Sequence, residues 1–323
     1  MTTPGNNALH IVSRRFERRG ATSASPVAVA NSELKSENSP RTAVSLVEIL
    51  ITVTLLSVIV LGLLGMFSLT QRAFRSGMTQ TDVLESGRAT MDLMTRELEQ
   101  TVPSYRNAVN FFVQIPPSPY TLLRQTLPGG STVPQRSNVL QDLFFLTRQN
   151  QTWVGIGYCV RANNGSSIWP PDSGVGTLYR FIMATNVVNQ DRAPAGLKPA
   201  FDRARLSTTP TSLNRVADGV VHFRVAMFDT NGVRLTWNLT NTIIGGVSSV
   251  VPGEFDHYYF LSNAVPASVE VELGILEAQT LGRYLSMTSS PAIAQAYLRE
   301  QAGRVHLFRQ RVPIRNVDPE AYQ

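Results

Sequence analysis

From Ile49 to Thr70 the chain runs through 22 uncharged, mostly apolar residues. As a helix such a run rises roughly 33 Å, enough to cross the hydrocarbon core of a bilayer. Glu48 is the only charge in the apolar stretch from Val44 to Thr70. A carboxylate inside a span costs on the order of 3 kcal/mol on insertion scales, so it is rarely found there without a partner or a task. No basic residue lies within the same stretch to pair with it. The expectation is one transmembrane helix, about residues 44–70, carrying one charge with a role.

Residues 1–43 carry Arg14, Arg15, Arg18, Arg19, Lys35 and Arg41 against Glu17, Glu33 and Glu37, a net charge of +3. The segment is otherwise rich in Ser, Asn, Ala and Pro without a periodic apolar face, and reads as disordered. Basic residues ahead of a span hold the N-terminus in the cytoplasm. A cleaved secretory signal would need a shorter apolar core followed at once by a small-x-small site, and Phe67 to Arg72 offers none. The remainder of the chain is therefore expected outside the cytoplasm. Without residues 1–43 the chain keeps 280 residues with 23 basic and 20 acidic side chains, again +3. The arginines are scattered singly, with no basic stripe interleaved with aromatics, so no nucleic-acid partner is expected.

The order Ala43-Val44, then Glu48, then an apolar run resembles the N-terminal signature of type IV pilins and pseudopilins. It differs from the usual pattern in having Ala43 where Gly is typical and Val44 where Phe is typical. The resemblance implies cleavage between Ala43 and Val44 by a prepilin peptidase. It further implies N-methylation of Val44 and a role for Glu48, fifth in the mature chain, in filament assembly against the amine of a neighbouring subunit.

Past the span no proline occurs between Ser45 and Val102, and Leu84, Met91, Met94 and Leu98 fall on one 3.6-residue stripe. On the other face Arg88, Asp92 and Arg96 form i,i+4 opposite-charge pairs. Pro103 pushes its predecessor out of the helical region, so the helix is predicted over 44–101, roughly 87 Å of rise. Gly87 to Leu98 is similar to a segment of the PilW and GspJ (PulJ) group of minor pilins and pseudopilins. Leu213 to Arg224 and Val265 to Leu273 are similar to two strands of that group.

Between these landmarks the chain reads as β. Val139–Arg148, Trp153–Arg161, Thr177–Met183, Gly219–Phe228, Val269–Leu276 and Val305–Ile314 are short apolar or alternating runs, and Ala292–Gln301 reads as a short helix. In Gly219–Phe228 the alternation sets Val221, Phe223, Val225 and Met227 inward and leaves His222 on the surface. Asp229 to Gly232 reads as a hairpin turn into Val233–Trp237. The fold class expected is α+β, with a long N-terminal helix, part transmembrane and part spine, packed on a β-rich head (102–323) of antiparallel sheets. The resemblance implies two such sheets packed together.

Catalytic signatures are absent from the sequence. His10, His222, His257 and His306 are far apart without metal-ligand spacing, and no nucleophile elbow or phosphate loop occurs. Cys159, the single cysteine, reads as a small buried hydrophobe on a strand. No cofactor and no metal are expected, and a non-enzymatic, structural role follows. The partners implied are the prepilin peptidase, other major and minor pilins or pseudopilins, the inner-membrane assembly platform and the lipid bilayer. The implied location is the bacterial inner membrane, with the head in the periplasm, and then the pilus or pseudopilus. The rival from another class is a signal-anchored envelope protein whose head binds a carbohydrate or other ligand through aromatics such as Trp153, Trp169, Trp237 and Tyr258-Tyr259-Phe260.

Overall fold

The computed structural model describes residues 45–105, 108–116, 122–127, 135–162, 174–185, 195–207, 211–235, 243–248 and 255–322. Ala43, Val44, Trp169 and Trp237 lie outside them. By internal contacts the chain divides into two units, the first ending at Gly62 and the second beginning at Leu63.

The long predicted helix is present as α1, Leu46–Leu98. It ends three residues before the predicted Thr101. The cause is the sheet: Thr101 bridges to Thr147 and the Val102 N–H donates to Leu146 O at 3.0 Å, so the backbone is already extended there.

Among the described residues the head, within the second unit, is built on a nine-stranded antiparallel sheet. Its strands are β1 (Val109–Gln114), β4 (Asp142–Gln149), β5 (Thr152–Ala162), β6 (Gly176–Ala184), β7 (Leu213–Phe228), β8 (Ile244–Ser248), β9 (Phe255–Leu261), β10 (Ser268–Leu276) and β11 (Val305–Pro313). They run in the order β11-β10-β7-β6-β5-β4-β1-β9-β8, while β2 (Leu123–Thr126) and β3 (Gln135–Asn138) form a separate ribbon. The expected pair of packed sheets is thus one large sheet that curls and a small ribbon. The curl has a local cause at Gly219, whose φ of +66° is costly for any residue with a Cβ. Around it β7 slips register and changes neighbour from β6 to β10. The edge that β6 vacates is taken by the residues just before β4: the Phe223 N–H donates to Val139 O at 2.7 Å, and the Gln141 N–H to Phe223 O at 2.8 Å.

Both faces of the sheet are covered, which is why its central strands read as continuous apolar runs rather than alternating ones. On one face the second-unit part of α1 contributes Val83, Met91, Met94 and Leu98 to a core shared with Ile156, Phe223 and Val271. Leu84, predicted on that stripe, is 37% exposed, and Val83 takes its place. Gly87 completes the face: a Cβ there would stand 2.1 Å from the Phe308 ring on β11, so glycine permits the close approach. On the opposite face α2 (Leu197–Leu206) lays Leu197, Phe201 and Ala204 against Phe144, Cys159 and Phe181. Buried Arg161 caps α2, donating to the carbonyls of Ala204, Arg205 and Ser207. A third cluster lies under α3 (Ala278–Ser286) and α4 (Pro291–Glu300) and joins Val221, Leu276, Tyr284 and Leu298.

Candidate functional site

The first half of α1 is exposed among the described residues. Its large apolar side chains from Leu46 to Phe67 are 45–79% exposed, an apolar surface far beyond the scattered exposure of a soluble domain. Hydroxyl side chains along this part of the helix are satisfied without water. Hydroxyls of Thr52, Thr54, Ser57, Ser68 and Thr70 each donate to a carbonyl three or four residues back, at 2.8–2.9 Å. That is the arrangement a helix needs where the solvent is hydrocarbon. Among the described residues this is the one helix long and apolar enough to cross a membrane. Glu48 lies in its first turn, exposed, and no ion pair to its carboxylate is present among the described residues.

The other end of α1 is fastened to the sheet by a polar contact that the periodicity argument missed. Glu97 falls on the same face as Met94 and Leu98 and is 8% exposed. The Tyr158 hydroxyl, on β5, donates to Glu97 Oε2 at 2.5 Å, and the Arg180 guanidinium, on β6, donates to Oε1. Burial, reinforced by the Glu97 carboxylate beside it, holds the Tyr158 phenol well above its ordinary range, so it remains a donor. Three elements are thereby joined through one carboxylate. A signal was present in the sequence: Glu97 is a charge on an apolar stripe.

The remaining residues singled out from the sequence do not converge. His222 is buried rather than exposed, because the segment before β4 lies against β7: its Nδ1 accepts from the Val139 N–H at 3.1 Å, and Nε2 is 3.3 Å from Glu272 Oε2. With Nδ1 accepting, Nε2 carries the proton. Glu272 is held down to about 2 by the His222 hydrogen bond first and the Arg224 and Arg309 guanidiniums after it. His306 stands 3.4 Å from Glu277, while His257 stacks on Phe112 and is tilted against Tyr259. Cys159 is fully buried, and burial pushes its thiol far up. Among the described residues no group of three or more His, Cys, Asp or Glu side chains is placed to hold a metal ion. The turn itself is as predicted, with Asp229 Oδ1 accepting from the N–H groups of Asn231 and Val233 at 2.9 and 2.7 Å. Among the described residues, however, the strand expected over Val233–Trp237 is reduced to a single bridge from Arg234 to Phe228. Trp153, Tyr258 and Phe260 are at most 2% exposed and belong to the core, so they offer no face to a ligand.

Compared with known proteins, the chain matches no protein-family model, no curated protein and no solved structure.

Proposed function

We propose that this chain is a structural, non-enzymatic membrane subunit of the pilin or pseudopilin kind. In this reading a prepilin peptidase cleaves it between Ala43 and Val44, Val44 is methylated, and α1 holds it in the inner membrane with its head in the periplasm. It then joins the tip or initiation complex of a type IV pilus or a type II secretion pseudopilus. The observation that carries the reading is the asymmetry of α1. Among the described residues its first half is exposed and apolar and Glu48 has no ion-pair partner, whereas its last turns are buried in the head. A helix of that kind serves two surroundings in turn, lipid and then the helices of neighbouring subunits, and the Glu48 carboxylate is neutralised there by a subunit's terminal amine. Six basic residues ahead of the span support the cytoplasmic placement of the N-terminus.

The test is the intact mass and N-terminal residue of membrane-extracted protein, with and without a functional prepilin peptidase. A chain beginning at methylated Val44 only when the peptidase is present is the expected result. Retention of residues 1–43 in both backgrounds refutes the reading. Glu48→Ala should leave membrane insertion intact and abolish incorporation into filaments.

A further inference from the structure

Directly after the uncharged run, α1 carries Arg72 and Arg75, spaced i, i+3 and so on one face of the helix. Both are exposed, and among the described residues neither has an ion-pair partner. The next carboxylates, Asp82 and Glu85, lie seven and ten residues beyond Arg75. That is roughly 10 and 15 Å along the axis, more than the screening length of about 8 Å at physiological salt. Between and beyond the arginines, Phe74 and Met78 are 68% and 66% exposed. This level of the helix is therefore cationic and apolar at once, as an interfacial segment is. The pair also has a cost. Arginines on the exported side work against the rule that places basic residues in the cytoplasm, so they weaken the orientation signal of residues 1–43.

Building on the membrane reading above, we propose that Arg72 and Arg75 are a headgroup clamp. Their guanidiniums bind the phosphates of anionic phospholipids at the bilayer face from which the head emerges, and Phe74, on another side of the helix at the same level, sits in the glycerol region. The planar guanidinium fork takes a phosphate through two parallel hydrogen bonds, which a lysine cannot reproduce. The clamp fixes the depth of α1 in the bilayer. Each arginine near an anionic surface is worth about fivefold in binding, so the pair is worth about thirtyfold.

The experiment places the full-length chain in nanodiscs of equal parts phosphatidylglycerol and phosphatidylcholine and reads the retained lipids by native mass spectrometry. The wild type should retain phosphatidylglycerol selectively, the Arg72→Gln/Arg75→Gln variant should lose about thirtyfold of that selectivity, and Arg72→Lys/Arg75→Lys should recover only part. Arg88→Gln/Arg96→Gln, two exposed arginines further along α1, should change nothing. Equal retention of both lipids by the wild type overturns the clamp, as does an equal loss in the Arg88/Arg96 variant. Entry of the wild type into discs of phosphatidylcholine alone tests the membrane reading separately: failure to enter overturns that reading, while entry with no lipid preference overturns the clamp alone.

Discussion

Replacing Glu97 by Ala should be among the most damaging single changes in the head. The substitution removes the one acceptor that the Tyr158 hydroxyl, a side chain with no exposure, has among the described residues, and the carboxylate partner of Arg180, whose side chain is 20% exposed. An unsatisfied buried hydroxyl costs about 1–3 kcal/mol, and breaking a buried ion pair by deleting one partner costs about 3–5 kcal/mol. Both losses pass through the same two oxygens and are not additive, so about 4 kcal/mol is expected in total. For a domain of this size that corresponds to a fall in Tm of about 8–16 °C. Glu97→Gln keeps one acceptor oxygen and should lose about 1–2 kcal/mol. The triple variant Glu97→Leu/Tyr158→Phe/Arg180→Met removes every member of the set together and should regain most of the loss, since apolar replacement of a whole buried ionic group is often neutral. The assay is urea unfolding of the detergent-solubilised full chain, followed by near-ultraviolet circular dichroism. A loss below about 1 kcal/mol for Glu97→Ala, or a triple variant as unstable as the single one, refutes the reasoning.

Three further outcomes follow from the packing and electrostatics. Gly87→Ala places a Cβ 2.1 Å from the Phe308 ring and should destabilise by about 1–2 kcal/mol, the clash outweighing the helix propensity gained; in a Phe308→Ala background the same change should become stabilising, and a double-mutant cycle by urea unfolding reads the change of sign. Glu272 is held below its unfolded value of about 4.5, to about 2, so its contribution is complete above pH 4.5 and is lost as pH falls from there through 2; discounted for solvent, about 1–2 kcal/mol should disappear across that window, and Glu272→Gln should remove that part of the stability–pH profile. Cys159, buried with its thiol pushed up, should resist alkylation by iodoacetamide in the folded chain and react only once urea unfolds it, as intact mass reports.

Much of this protein was legible in order of local signal strength. The length and continuity of α1 come from the absence of proline and from an uninterrupted apolar run, properties that need no tertiary context. β10 and β11 fall within a residue of their predicted limits because their edges are marked by Pro, Ser and Gly. The hairpin at Asp229 was written in its own turn residues. By contrast β1 and α2 gave no usable signal: Val109–Gln114 does not alternate, with polar Asn110 buried beside Phe111 and Phe112, and α2 carries Pro199 in its first turn and owes its place to Phe201 and the Arg161 cap.

His222 shows where pattern reading stops. Alternation along β7 predicts one wet face, but Val221 packs in the cluster under α3 and α4, apart from Phe223. Residues 139–141 hydrogen-bond along the free edge of β7, where the Val139 N–H donates to His222 Nδ1 and the histidine is buried. Glu97 shows the same limit from the opposite side, since its partners are sixty-one and eighty-three residues away in sequence. The sequence alone determined what is set by short-range sterics and by transfer from water: a long helix with an uncovered apolar half, one charge in its first turn, and a β-rich remainder. Only the tertiary structure decided which polar groups are buried together and how one sheet is covered on both faces, because those depend on contacts between residues the chain keeps far apart.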